Sequence, residues 1–287
     1  MKLQVRCGVA ALLTALTLSG TSTAPAQNTA VRRIEIGWAA PIARLEAAKA
    51  AGFDYVEVNA SDIAGLSEQA FDEALSTQKR LGMPTPVANV FIPRDQTIPV
   101  SGPNADPAKQ MAYVRPLFDR LAKLGVNTLV FGGGKQVPEG WTEEGTFRQL
   151  IEFSRRITPE AKDRGITIVI EPTSESNFIR TVSEGLRMMD AVNDPSMKLM
   201  VDYYHVAVTK EDPAVIVKAG QSIRHVHIAN PQGRVFPLSA SESDYSGFFE
   251  ALKRIGYRGR VTIEGGTKDL NTEAPVAIAF LRRSLAP

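Results

Sequence analysis
The sequence predicts an α/β chain closed into a single (β/α)8 barrel, the TIM-barrel architecture, and three observations carry that prediction. Short, nearly continuous apolar runs alternate with longer helix-like stretches, the pattern of parallel strands covered by helices. A glycine closes one helical stretch after another just before the next apolar run, in KAAGFDYVEV, RLGMPTPVANV, KLGVNTLVF, DRGITIVI, KAGQSIRHVHI and RIGYRGRVTIE. The chain has 287 residues, 44% of them hydrophobic, with 22 Gly and 18 Pro. That is an ordinary globular composition, with room for one barrel of about 250 residues.

Taken in order, the first strand is RIEIGW at 33–38, and further strands fall near 54–59, 86–91, 127–131, 166–171, 198–202, 223–228 and 260–264. The helices between them include 107–124, 142–164 and 271–285. Gly52, Gly82, Gly125, Gly165, Gly220 and Gly256 are the expected left-handed exits of these helices, several with Lys or Arg in the preceding turn. Asn193, in AVNDPSMKLMVD, makes a seventh exit, since Asn tolerates the same conformation. An open doubly wound sheet is the competing arrangement. Its first strand-helix turn, GWAAPIARLE, lacks the GxGxxG of a dinucleotide site.

Residues 1–26 read as a cleaved secretory signal peptide, leaving 27–287 as the barrel domain. Lys2 and Arg6 precede an apolar run from Gly8 to Gly20, and Ala24-Pro25-Ala26 supplies a small-x-small cleavage site. The run is shorter than the roughly 20 residues that span a bilayer, so no stable membrane anchor is expected. An exported, periplasmic protein follows. The one cysteine, Cys7, would leave with the leader, so no disulfide is available and a large core must hold the fold. Basic residues number 33 and acidic residues 31, and without Lys2 and Arg6 the two balance. A neutral body excludes a polybasic nucleic-acid binder.

The chemistry of such a barrel lies at the C-terminal ends of its strands. There ITIVIE ends in Glu171, KLMVD in Asp202 and RVTIE in Glu264, while RHVHI carries His227. A charge placed after a run of apolar residues is expensive. One such acid is explained by a rim salt bridge; three with a histidine, on consecutive strands, point to a bound cation. Mixed oxygen and nitrogen ligands suit Mn²⁺, with Mg²⁺ or Co²⁺ as alternatives, better than a tetrahedral structural zinc. His225 shares a strand face with His227 one layer deeper, which suits a core or supporting histidine. Trp38 and Phe91 suit either a sugar-stacking or a core role. Glu57 is open between a substrate contact and a rim pair, and Lys135, after three glycines, is a weak anion candidate.

The segments IEP, VDYYH, IRHVHIANPQGR and TIEGG, supported upstream by NVFIP, VFGGG and VPEGW, resemble the sugar phosphate isomerase/epimerase superfamily. Its members are xylose isomerase-like barrels, among them hydroxypyruvate isomerase and the ketose 3-epimerases. The resemblance implies that Glu171, Asp202, His227 and Glu264 bind a divalent metal and that the two glutamates are catalytic, moving protons. It also implies substrate binding by His205, three residues after the aspartate, and by Arg234. One departure stands out: where ketose 3-epimerases carry a further glutamate, six residues after the first ligand, this chain has Asn177. The superfamily's DNA-repair endonucleases need a histidine-rich three-metal centre, which three histidines in the whole chain exclude.

The expected function is a metal-dependent isomerase or epimerase acting on an unphosphorylated keto sugar, through proton abstraction beside the carbonyl and an enediolate. Export argues against phosphorylated substrates. The alternatives are a lyase or hydratase acting on 3-keto-glycosides, through the same enediolate, and a sugar-binding protein without turnover. The oligomeric state is left open by the sequence.

Overall fold
The computed structural model describes residues 33–95 and 97–286, together with Met1 and Gln4; the signal-peptide segment thus lies outside the described residues except for those two positions. From Arg33 onward the chain forms one compact unit. Its strands are β1 (Ile36–Ala39), β2 (Tyr55–Asn59), β3 (Val87–Asn89), β4 (Thr128–Phe131), β5 (Thr167–Ile170), β6 (Met197–Asp202), β7 (Ile223–Ile228) and β8 (Arg260–Ile263). They pair in parallel in sequence order, and β1 pairs with β8 to close the barrel. The helices outside it are α1 (Leu45–Ala50), α2 (Ala60–Gly65), α3 (Glu68–Leu81), α4 (Pro107–Lys123), α5 (Glu143–Lys162), α6 (Val182–Val192), α7 (Tyr203–Thr209), α8 (Ala214–Ala219), α9 (Ser246–Arg254) and α10 (Leu270–Ser284). None of the described helices is long and apolar enough to cross a membrane.

Local chemistry sets the helix ends. Asp106 starts α4 by accepting from the N–H groups of Ala108 and Lys109, and Thr142 starts α5 by accepting from Gly145. Thr181 and Glu184 form a reciprocal capping box on α6. All seven expected exit residues have positive φ, from 52° at Gly220 to 88° at Gly52, with Asn193 at 55°. The strand predictions hold except that β3 stops at Asn89, short of 91. Val90 has φ 47° there and turns the chain out of the sheet.

Two apolar layers hold the fold. The main one lies between strands and helices, with Phe91, Phe118, Phe131 and Phe153 fully buried in mutual contact. Burial of each such side chain contributes about 1.5–3 kcal/mol. A second, small cluster of Tyr55, Val87, Val130, Val169 and Met200 fills the barrel interior. Gly37 admits it, because a Cβ at that position would overlap the Tyr55 ring. Above this plug the lumen turns polar.

Candidate active site
Glu171 and Glu264 each follow the last residue of their strand, β5 and β8. Their N–H groups still donate into the ladder, to Phe131 and Ile228, so their side chains are aimed by the sheet. Gly132 leaves room for Glu171, since a Cβ there would strike its carboxylate. Asp202 ends β6 and lies opposite His227 of β7 in the pairing register. One ligand atom from each of the four residues falls within 4.8 Å of all the others. His227 Nδ1 is 3.2 Å from Glu171 Oε1 and 3.3 Å from Glu264 Oε2.

This donor set fits a divalent cation. Glu171 Oε1, Asp202 Oδ2 and His227 Nδ1 are buried and have no hydrogen-bond partner, a costly arrangement unless a ligand completes it. The other nitrogen of His227 shows why Nδ1 is available. His227 Nε2 lies 2.8 Å from Glu57 Oε1, and an ionised carboxylate only accepts, so Nε2 carries the proton of the neutral ring. In the metal-free protein burial opposes a charge on His227, but Glu57, Glu264 and Glu171 outweigh it and push its pKa well up. A cation must therefore displace a proton. The cluster of Glu57, His225 and His227 also has metal-ligand composition. Its carboxylate oxygens, however, sit at hydrogen-bond distance, 2.8 Å, from the two Nε2 atoms, so protons hold that group together.

Glu57 is therefore neither a rim pair nor a substrate contact. It is fully buried and accepts from His225, His227 and, at 2.5 Å, Thr262. Burial alone would raise its pKa, but the two histidines outweigh that and hold it well below the carboxylate range. His225 takes the supporting role expected of it; burial, partly offset by Glu57, holds its pKa low.

His205 and Arg234 line the same cavity as Glu171 and Glu264. The Ser174 N–H donates to His205 Nδ1 at 3.1 Å, so that nitrogen is a bare acceptor and the proton sits on Nε2. His205 Nε2 is buried without a hydrogen-bond partner, 3.6 Å from Asp202 Oδ2. Arg234 has φ 50°, donates to Glu264 Oε2 at 2.6 Å and lies 3.5 Å from Asp202 Oδ2. Burial disfavours the Glu264 carboxylate, but His227 and Arg234 outweigh this and lower its pKa.

Trp38 is not brought to the site. Gly37 faces the Tyr55 ring inside the barrel, so Trp38 points to the opposite face. There it stacks on Phe53, with its ring edge-on to Phe236. Phe91 is likewise core. Lys135 is no anion contact: it is buried, its ammonium donates to the Gly132 carbonyl, and burial, partly offset by Glu171, lowers its pKa to about 8.

Two residues to which the sequence assigned no role face the cavity of about 670 Å³ that Glu171, Glu264, His205 and Arg234 line: Asn89 and Glu175. Glu175 reaches Arg234 Nη1 at 3.4 Å and passes 3.3 Å from His205 Nδ1. Asn177 instead clamps the backbone of Val137, accepting from its N–H at 2.8 Å and donating to its carbonyl at 3.1 Å. A carboxylate thus approaches Arg234 and His205 from position 175, while the side chain at 177 is turned to the loop backbone. No periodicity would have shown this, because 171–181 is an irregular loop.

A closed parallel barrel with its polar cluster at the C-terminal strand ends defines a class of barrel enzymes. Residues 45–284 match the model of the xylose isomerase-like TIM barrel family, and the chain belongs to that family. It is 30% identical over 244 residues to an L-ribulose 3-epimerase of Methylomonas sp. (strain DH-1), covering 81% of this chain and 82% of that protein. It is 27% identical over 223 residues to a ketose 3-epimerase of Arthrobacter globiformis, covering 75% and 73%. Among solved structures, a D-allulose 3-epimerase from Methylomonas sp. superposes with a TM-score of 0.77 at 25% identity, covering 88% of this chain and 99% of the other. The chain is an enzyme.

Proposed function
We propose that the protein is a divalent-metal-dependent epimerase or isomerase of an unphosphorylated keto sugar. The observation that carries this is the convergence of Glu171, Asp202, His227 and Glu264, with three buried ligand atoms unpartnered; the epimerase relatives support the same class. A divalent ion held by these four residues, Mn²⁺ by preference, would supply a Lewis acid that stabilises charge developing on the substrate oxygens. The remaining work falls to the chain. One glutamate removes the proton beside the carbonyl and the other returns it, through an enediolate. His205 Nε2–H and the Arg234 guanidinium are donors for the oxygen that gains charge. Arg234 and Arg94 are the cations among the described residues lining the cavity, and Arg234 is engaged by Glu264. That leaves little to neutralise a phosphate, consistent with an exported enzyme. Processing after Ala26 belongs to the same proposal, and N-terminal sequencing of the periplasmic product checks it.

The test is solvent deuterium uptake into a keto sugar by protein saturated with Mn²⁺. Glu171→Gln and Glu264→Gln should each lower the rate about 10²–10⁴-fold. The product should keep the substrate's mass apart from deuterium. Release of an aglycone would instead identify a lyase, and turnover with neither deuterium uptake nor a primary isotope effect would rule out proton abstraction.

A further inference from the structure
The string NVFIP begins with a residue that the proposed proton transfer leaves unused. Asn89 ends β3 and lines the cavity beside Glu264. It is 3% exposed; its Nδ2 donates to Glu264 Oε1 at 3.4 Å, and its Oδ1 has no hydrogen-bond partner. Turning the amide over would set Oδ1 against the carboxylate, acceptor against acceptor, so the orientation is dictated by Glu264.

A buried acceptor left open is unfavourable, and the next residue compounds it. Val90 is β-branched yet has φ 47°, a conformation such residues rarely adopt. Its carbonyl is held there by the Ser61 N–H at 3.1 Å. Two adjacent unfavourable features in a cavity wall are what a ligand-reading position looks like. Beside Asp202, the buried His205 Nε2–H is an open donor. The two residues line the same cavity, so its wall offers one open acceptor for a hydroxyl and one open donor for a ketone.

We propose that Asn89 is a specificity-determining residue: its Oδ1 accepts from the substrate hydroxyl next to the reacting ketone. This rests on the proton-transfer function proposed above. A site built to bind a hydroxyl rejects the analogue lacking it far more strongly than a site shaped by apolar contact does.

The experiment measures solvent deuterium uptake by Mn²⁺-loaded protein on D-allulose, D-fructose and D-tagatose, and on the 1-deoxy and 3-deoxy forms of whichever exchanges fastest. The unmodified protein should lose at least about 100-fold on one deoxy form. Asn89→Ala should lose a comparable factor on the parent sugar, lose almost nothing more on that deoxy form, and keep its bound metal by elemental analysis. Asn89→Ser serves the same cycle if the alanine variant does not accumulate. Equal losses on parent and deoxy sugars, an unchanged rate, or loss of the metal would each overturn the role of Asn89. No exchange by the unmodified protein on any parent ketose would overturn the proton-transfer reading, and this inference with it.

Discussion
Asp202 caps a helix and contributes to the proposed metal quartet with the same carboxylate. Its Oδ1 accepts from the Tyr204 N–H at 2.9 Å to start α7, while Oδ2 stays open. Burial raises its pKa to about 6; Glu264 and Glu171 add to this, and His205 and His227 oppose it. The sign of the linkage follows. Between the unfolded value, about 3.9, and the folded one the native state binds more protons, so metal-free stability falls as pH rises through that window. The loss is on the order of 2–3 kcal/mol by neutral pH. Asn keeps the cap without the charge. Metal-free Asp202→Asn should therefore melt above the unmodified protein at pH 7.5, with the advantage closing at pH 4. A lower melting temperature at pH 7.5 would show that burial does not dominate at this carboxylate.

Single strands explain the histidines. Alternation puts Tyr55 and Glu57 of β2, and His225 and His227 of β7, on lumen faces. Thr262 of β8 donates to Glu57 and stands 2.7 Å from the Tyr55 hydroxyl. Since the Thr262 proton goes to Glu57, Tyr55 donates to Thr262, and every donor runs toward one carboxylate. Glu57→Gln has a single acceptor oxygen for two imidazoles, so one histidine loses its enforced tautomer. Mn²⁺ affinity should fall about 10–100-fold, measured by calorimetry, with the circular dichroism spectrum unchanged. On the outside of the barrel, Thr181→Val removes half of the capping box on α6. It should cost about 1 kcal/mol in denaturant titrations and leave metal affinity untouched.

At the scale of the molecule, the quartet joins the last four strands, so an ion bound there would stabilise the native barrel over the unfolded chain. At a free concentration 100 times the dissociation constant the gain is about 2.7 kcal/mol, several degrees in melting temperature for a chain of this size. Because the ion displaces the proton that Glu57, Glu264 and Glu171 hold on His227, the gain should grow as pH is raised from 5.5 to 8. Calorimetric scans with and without Mn²⁺ check both statements. Glu264→Gln should show little of the shift, and an equal shift in that variant would remove the quartet as the metal site.

The barrel was legible because its signals are local. A glycine or asparagine at a helix exit and an apolar run after it lie within ten residues, and each of those exits has the left-handed φ expected of it. Glu171, Asp202 and Glu264 were legible for a related reason: a charge at the end of an apolar run is costly enough to need a purpose. Sequence alone therefore determined the architecture and singled out four residues that the barrel brings together. Tertiary structure alone decided the rest. Glu57 and His227 are 170 residues apart and meet only across the closed lumen. Trp38 was placed by strand parity, which depends on where β1 enters the barrel, and Asn89 acquired meaning only when β8 brought Glu264 beside it. Which side chains face one another across a barrel follows from closure and register, and no short-range pattern in the chain encodes either.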